Sequence, residues 1–260
     1  MTKLSNDQIR QNVRGRYSQI AVKNVTSASS CCNSPSDFDS ISAKLGYSSS
    51  ELAAAPEGAN LGLGCGNPQA IAELKAGERV LDLGSGGGFD CFLASRQVGD
   101  KGHVIGVDMT PEMISRARNN AVKGNFGNTE FRLGEIEHLP LADHSVNVII
   151  SNCVINLSPD KPQVFREVYR VLEPGGRLAI SDIVTTAELP PEIRNNVDEL
   201  YAGCISGASS ILELEAMLQE SGFTEISIKP KDESKSFIKV WVPESNVEQY
   251  IVSAVITAKK

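Results

Sequence analysis

The sequence predicts an α/β fold built on a mainly parallel sheet. Strand-like apolar runs alternate with segments of helical period from residue 79 to residue 184, which is the pattern of βαβ units. A glycine cluster, Gly84, Gly86, Gly87 and Gly88, follows the first of these runs and opens the first helix. Glycine lets backbone turn sharply and lets a ligand come close. The chain has 260 residues, 41% hydrophobic and 22% charged, enough to bury one full core without covalent staples.

Taken in order, residues 6–20, "NDQIRQNVRGRYSQI", have a loose helical period. Residues 26–35, "TSASSCCNSP", are small and polar and predict a mobile loop. Short helices are expected near 37–45 and 49–55. "GANLGLGCGNP" (58–68) is too glycine-rich for a helix. The alternating region then reads "RVLDLG" (strand), "FDCFLASRQV" (helix), "HVIGVDM" (strand), "PEMISRARNNAVK" (helix, Pro111 in its first turn), "TEFRLGE" and "VNVIIS" (strands), "KPQVFREVYRVLEPGG" (helix closed by Pro-Gly-Gly) and "RLAISDIV" (strand). Beyond it, "SILELEAMLQESGF" is helical, and "EISIKP" and "YIVSAVITAK" are late strands.

The net charge is −7 and the basic residues are dispersed, which argues against a nucleic-acid partner. No apolar run approaches the ~20 residues of a membrane span. The polar start "MTKLSNDQIRQ" carries no secretory signal, so the expected compartment is a reducing cytoplasm. Six cysteines are present: Cys31, Cys32, Cys65, Cys91, Cys153 and Cys204. None forms a C-x-x-C pair, against a zinc ribbon or thioredoxin motif. Cys31 and Cys32 have Cα atoms ~3.8 Å apart, short of the ~4.4–6.8 Å that disulfides prefer. For a cysteine taken alone, packing as a small apolar residue is the default. Cys91, inside the first helix beside the glycine loop, is assigned to the core. His103, His138 and His144 show no catalytic constellation and are read as surface or strand-end residues.

A dinucleotide site requires G-x-G-x-x-G. Counted from Gly84, the last position is Phe89, so that fingerprint fails. The spacing is D-x-G-x-G-x-G from Asp82 to Gly88, which resembles the first motif of class I S-adenosylmethionine (SAM) methyltransferases. Asp108, at the end of the next strand, fits an acceptor for a ribose diol. "LGEIEHLPLADHSVNVIIS" resembles the adenine-contacting strand end of these enzymes, with Glu135 and Ile136 at the adenine. "YRVLEPGGRLAISD" resembles their helix-to-strand entry. The resemblance also places Gly84, Ser85, Gly86 and Met109 in the cofactor set. Asn152 is either a contact to the cofactor's amino-acid end or a strand cap.

The thiols narrow the resemblance. Cys153 follows the fourth sheet strand, at the carboxyl edge where ligands bind in open α/β sheets. Cys65 sits in a glycine-rich turn and Cys204 in the segment after the fifth strand. Soft thiolates select soft metals and metalloids. "LGCGNP", "LDLGSGGGFDCF", "GDKGHVIGVDMTPEM", "SNCVINLSPDK" and "ELPPEIR…YAGCISGA" resemble arsenite methyltransferases over nearly the whole chain. The resemblance implies a class I, Rossmann-like fold with late antiparallel strands and three regions. These are an N-terminal helical extension (1–70) carrying Cys31, Cys32 and Cys65, a SAM-binding core (71–184), and a substrate cover with Cys204 that completes the sheet (185–260). A large extra C-terminal domain found in many members is expected to be missing.

By the same resemblance, Cys153 and Cys204 hold As(III), Cys65 is the third thiol and Cys32 is the redox partner of Cys65. Tyr17 lies on the cofactor. The implied activity is SAM-dependent methylation of arsenite, with thioredoxin or glutathione resetting a disulfide and no nucleic-acid or membrane partner. Two other functions compete. A methyltransferase acting on a small organic substrate such as a quinone precursor would share the cofactor half only. A non-catalytic metalloid-binding protein would tolerate loss of the glycine loop, which is intact here.

Overall fold

A computed structural model describes residues 4–26, 35–190, 205, 207–241 and 246–260. Cys31, Cys32, Cys204 and residues 191–204, 206 and 242–245 of the expected cover therefore lie outside the described residues. Eight strands form one sheet: β1 (Arg79–Leu83), β2 (His103–Asp108), β3 (Thr129–Leu133), β4 (Val146–Asn152), β5 (Leu172–Thr185), the two-residue β6 (Ser209–Ser210), β7 (Thr224–Lys231) and β8 (Ile251–Lys259). Their order is β3-β2-β1-β4-β5-β8-β7, with β6 paired to β5. The pairs through β5 are parallel, whereas β8 runs antiparallel to both β5 and β7. The expected mainly parallel sheet with late antiparallel strands is therefore what forms.

Burial on both faces explains the unbroken apolar runs. Along β1 and β4, side chains alternate between two cores. Leu81, Leu83 and Ile149 face one core with α7 (Lys161–Val171) and α8 (Ile211–Glu220). Val80, Val148 and Ile150 face the other with α4 (Gln69–Ala72), α5 (Phe89–Val98) and α6 (Pro111–Gly124). This is the period-two reading of a strand. Helix starts are chemically marked. Asp160 accepts the Gln163 N–H at the start of α7, and Ser210 and Glu213 form a reciprocal capping box at α8.

Three boundaries differ from the sequence reading. The helix α1 (Asn6–Thr26) runs past residue 20, and α2 (Pro35–Lys44) starts at Pro35. The ends of the expected 26–35 loop are therefore helical, and the rest of it lies outside the described residues. α7 ends at Val171 rather than continuing to Pro-Gly-Gly, because Leu172 is already extended and opens β5. The turn residues sit inside that strand, where the β4–β5 register shifts between Val146 and Val148. α3 (Ser49–Ala54) agrees with the sequence reading, and a short helix, α9 (Lys235–Trp241), precedes β8. No helix among the described residues is long and apolar enough to cross a membrane.

α1 lies against the carboxyl end of the sheet. Arg10 and Arg14 reach Glu135 and Glu137, with Arg10 to Glu137 at 3.1 Å and Arg14 to Glu135 at 3.1 Å. Arg116 of α6 donates to the carbonyls of Ala21 and Gly58. These contacts fix the N-terminal extension over the same edge that carries the conserved-fold ligand crevice of open α/β sheets.

Phe165 of α7 is fully buried in the core between α7 and the sheet. Phe165→Ala is expected to cost about 3–5 kcal/mol through lost transfer energy plus a cavity. Chemical denaturation of the two proteins measures it.

Candidate functional site

The site forms where β1 and β4 lie side by side and the chain crosses to opposite sides of the sheet. β1 ends in Asp82 and Leu83, and the glycine turn bends back over β2. The N–H groups of Gly84 and Ser85 both donate to the Val107 carbonyl, at 2.8 and 3.0 Å. Gly84 has φ +69°, and a Cβ there would overlap the Val154 side chain. Gly86 has φ +50° with open space where a Cβ would point. Both positions line a cavity, so the loop presents bare backbone to whatever fills it.

That cavity encloses about 1150 Å³ when the open solvent at its mouth is included. Tyr17 of α1 and Asp82, Gly84, Ser85, Gly86, Asp108, Met109, Ile136, Asn152 and Cys153 all line it. Of the sequence-predicted cofactor residues only Glu135 does not. It turns instead to Arg10 and Arg14, because those cations of α1 are the nearest opposite charges. Tyr17, Met109 and Cys153 all pack against the same buried apolar cluster.

The electrostatics of the lining are one-sided. Asp108 accepts from the N–H groups of Gly86 (3.0 Å) and Thr110 (2.8 Å), and burial still raises its pKa. Asp82 is buried and accepts only from the Cys91 thiol, at 3.3 Å. Burial, then the neighbouring Asp90, push it well above the usual carboxylate range. Cys91 is thus core, as expected, and also the donor to Asp82. Asp90, in the first turn of α5, is pushed up to about 6 by burial. Among the described residues no lysine, arginine or histidine pairs with Asp82, Asp90 or Asp108. Among the described residues the buried Ser85 hydroxyl has no hydrogen-bond partner.

These features test the cofactor directly. A pyrophosphate would face several carboxylates and no free cation, so a dinucleotide does not fit. A ligand with a vicinal diol, an apolar base and positive charge does fit. Asp108 offers a diol acceptor, Ile136 an apolar wall, Ser85 an unsatisfied hydroxyl, and the acids a counter-charge. SAM has each of these parts.

Past β4 the backbone enters a rare conformation. Cys153 has φ +57°, a left-handed geometry that costs a non-glycine residue of order 1–3 kcal/mol and concentrates at functional sites. Its N–H donates to the Ser181 carbonyl at 2.8 Å. The Cys65 turn is held from two sides. Its N–H donates to Asn152 Oδ1 at 3.0 Å, and its carbonyl accepts from Ser253 Oγ at 2.7 Å. The Cα atoms of Cys65 and Cys153 lie 5.9 Å apart and the two residues are joined as a disulfide. A carboxylate oxygen of buried Asp182 lies within 4.8 Å of both sulfurs.

In this form the partner of Cys65 is Cys153, because Asn152 clamps the Cys65 turn against the end of β4. The expected Cys32–Cys65 pairing falls on Cys32, outside the described residues. Asp182, Asp90 and Tyr47 were not read as site residues from the sequence. Asp90 had a local signal, an acid in the first turn of the helix that the glycine loop opens. Tyr47 had none, since it reaches Asp90 across 43 positions. His103, His138 and His144 do not line the cavity.

The fold and the cavity define a class I SAM-dependent methyltransferase. Residues 74–222 match a family model described as a methyltransferase domain. An arsenite methyltransferase of Halobacterium salinarum is 52% identical over 98% of this chain and 67% of its own length. The human arsenite methyltransferase is 45% identical over 55% of this chain and 40% of its own. The crystal structure of an arsenic(III) S-adenosylmethionine methyltransferase from Chlamydomonas reinhardtii is 34% identical, with a TM-score of 0.61 over 84% of this chain and 72% of that one. The chain belongs to the arsenite methyltransferase family. It spans about two thirds of the haloarchaeal relative's length and less than half of the human one's.

The buried acids set a pH dependence. An acid whose folded pKa is raised holds its proton in the folded state where the unfolded chain has lost it. Its contribution is full below the unfolded pKa and is lost as pH rises through the folded value. Asp90 and Asp182, both pushed up to about 6, act in this direction. The ligand-free protein should therefore gain thermal stability as pH falls from about 7.5 to about 5.5. Asp90→Asn should flatten that slope, and a Tm series on both proteins checks it.

Proposed function

We propose that this protein methylates trivalent arsenic held by its own thiolates, with SAM as methyl donor. The observation that carries the reading is the placement of Cys153. Its thiol position lies in the wall of the cavity built for the cofactor, with Cys65 beside it. Bound SAM would supply an electrophilic methyl group on a cationic sulfonium. The protein's work is then positioning, since reacting atoms need to be brought to ~3–3.5 Å and into line.

Family membership supports roles for the individual residues. Asp108 would take the ribose diol and Ile136 the adenine. Cys153, Cys65 and Cys204 would bind the base of the arsenic pyramid and leave its lone pair facing the methyl group. No general base is needed, because that lone pair carries no proton. The left-handed turn at Cys153 places it in the cavity wall with Cys65 beside it.

Methyl transfer raises arsenic to the pentavalent state, and two electrons return it to the trivalent one. Two thiolates supply them by becoming a disulfide, which an external dithiol, thioredoxin or glutathione then reduces by exchange. Cys65 is one member of that pair. The second is Cys153, by proximity, or Cys32, by family resemblance. The joined form withholds two of the three proposed arsenic ligands, so reduction comes before arsenite binds.

Purified protein given SAM, arsenite and a dithiol reductant should yield mono- and dimethylated arsenic, read by chromatography with elemental detection. Absence of any methylated arsenic from the wild-type protein overturns the proposal. Cys153→Ser and Cys204→Ser should each lose about 100-fold or more in rate, since each removes a group that positions the nucleophile. Full activity in either variant would transfer the arsenic site elsewhere. A methyltransferase of carbon or oxygen centres would instead keep activity in both variants.

A further inference from the structure

The chain that leaves Cys153 turns back onto the thiols' surroundings. Ile155–Leu157 forms one short 3-10 turn, and its Asn156 is 1% exposed. Asn156 Nδ2 donates to Asp182 Oδ1 at 2.9 Å and to the Ile183 carbonyl at 2.6 Å. Its backbone N–H donates to Asp182 Oδ2 at 3.4 Å. The Ile183 N–H donates to Asp182 Oδ1 at 2.8 Å. Asp182 is 2% exposed and follows Ser181 in β5, whose carbonyl takes the Cys153 N–H. These donors are all neutral, and Lys161 at the start of α7 is a cation whose field reaches the carboxylate. One carboxylate oxygen lies within 4.8 Å of the sulfurs of both Cys65 and Cys153. No step of the cycle described so far uses this group.

A carboxylate buried among neutral donors is costly. The charge balance of the proposed reaction gives it a use. Arsenic held by three thiolates is neutral. Its lone pair becomes the As–C bond, and the electron pair of the breaking C–S bond stays on the donor's sulfur. The positive charge that began on the sulfonium thus ends on arsenic, as an arsonium. In the reduction that follows, a thiolate attacks one arsenic-bound sulfur and an S–S bond forms. The As–S pair stays behind as the new lone pair, and the arsonium charge is cancelled by that of the attacking thiolate. Positive charge therefore stands on arsenic only between methyl transfer and reduction. A fixed carboxylate at that point stabilises the transition state more than the neutral bound substrate, which raises rate rather than affinity.

We propose that Asp182, held in place by Asn156, is the counter-charge for the arsonium that methyl transfer creates at the Cys65 and Cys153 sulfurs. This rests on the reading of the protein as an arsenic methyltransferase and adds a residue to its chemical step. Asn156 is a positioning residue. The arrangement also defines a substrate class. A nucleophile that enters neutral and leaves cationic is favoured by this carboxylate. One that enters as an anion, such as a phenolate, is opposed by it before reaction and gains nothing after.

Asp182→Asn removes the charge and keeps an oxygen for the Ile183 and Asn156 N–H groups. Rapid-quench single turnovers with saturating arsenite and SAM should show methyl transfer about 100-fold slower. Two affinities should stay within about 2-fold of wild type, because neither complex contains an arsonium. One is that of the reduced protein for arsenite, read from near-ultraviolet thiolate–arsenic absorbance. The other is that for S-adenosylhomocysteine, read by calorimetry. Ligand-free Asp182→Asn should melt at or above the wild-type temperature at about pH 7.5, since a neutral amide is less costly to bury than a carboxylate. Asn156→Ala keeps the charge and frees it to move, and should slow the same step about 3- to 10-fold with both affinities kept. An unchanged single-turnover rate in Asp182→Asn overturns the proposal. Matching losses of rate and arsenite affinity would reduce Asp182 to a ligand or scaffold residue and overturn it as well. Should Asp182→Asn not fold, Asn156→Ala decides by the same split between rate and affinity. Absence of methylated arsenic from the wild-type protein would instead sink the reading of the reaction.

Discussion

The side-chain amide of Asn152 is the contact on which the site depends. It is the last residue of β4, and both ends of its amide are used. The oxygen accepts the Cys65 N–H, and the nitrogen donates to the Gly66 carbonyl at 2.8 Å and to Tyr47. Gly64 is pressed against this amide, and a Cβ there would meet it at 2.9–3.1 Å. A loop of the N-terminal extension is thereby fastened to the carboxyl end of a central strand. Without that fastening nothing local would place Cys65 at Cys153, since 88 positions separate them. The loop's glycines follow from the closeness of the approach.

The buried acids show the same economy of placement. Asp82 and Asp90 sit at the two ends of one glycine turn, and Asp108 reaches across to hold that turn by the Gly86 N–H. Each is more costly to bury than the apolar residue that would otherwise occupy the site. The α1 arginines could neutralise such acids, but they are spent on Glu135 and Glu137. The arginine that the extension does bring to the cavity wall, Arg10, is already paired with Glu135 and Glu137. The negative potential is left facing inward, where a cationic ligand meets it in a water-poor setting and at close range.

How much of this was legible in the sequence follows from the range of each signal. β1, the glycine turn and α5 are contiguous, so Asp82, Gly84, Gly86 and the failure of the dinucleotide spacing could be read directly. β4 announced itself as an apolar run because both its faces are covered, and Cys153 fell at its end. Asp108 was visible because its distance from the glycine turn is fixed by one βα unit. Residues that enter from far along the chain were not visible. Tyr47 meets Asp90 only because α3 packs beside α5. Asp182 is one of many residues in β5, and only the parallel register that pairs Asn152 with Ser181 brings it beside the thiols. The side-chain direction of Glu135 was not legible for a related reason, since it is decided by Arg14 of α1, 121 residues earlier.

The backbone at Cys153 connects these observations. A left-handed cysteine at the end of a buried strand persists only if its surroundings over-determine it. Here the Ser181 carbonyl holds its N–H, Asn152 before it is fixed by its bonds to the Cys65 turn and Tyr47, and Val154 after it packs against the glycine turn at Gly84. A glycine at this position would relax the strain and lose the sulfur. Any other side chain would carry the strain and lose the chemistry. The cost is therefore intelligible only if the thiol's direction matters. The same turn that places Cys153 in the cavity wall also brings its thiol within reach of Cys65. On the proposed mechanism these two neighbours serve the two halves of the cycle: one geometry offers a pair of thiolates to arsenic when reduced and closes on itself when the pair has given up two electrons. The site needs no large movement between those states, because a Cα separation of 5.9 Å already suits a disulfide.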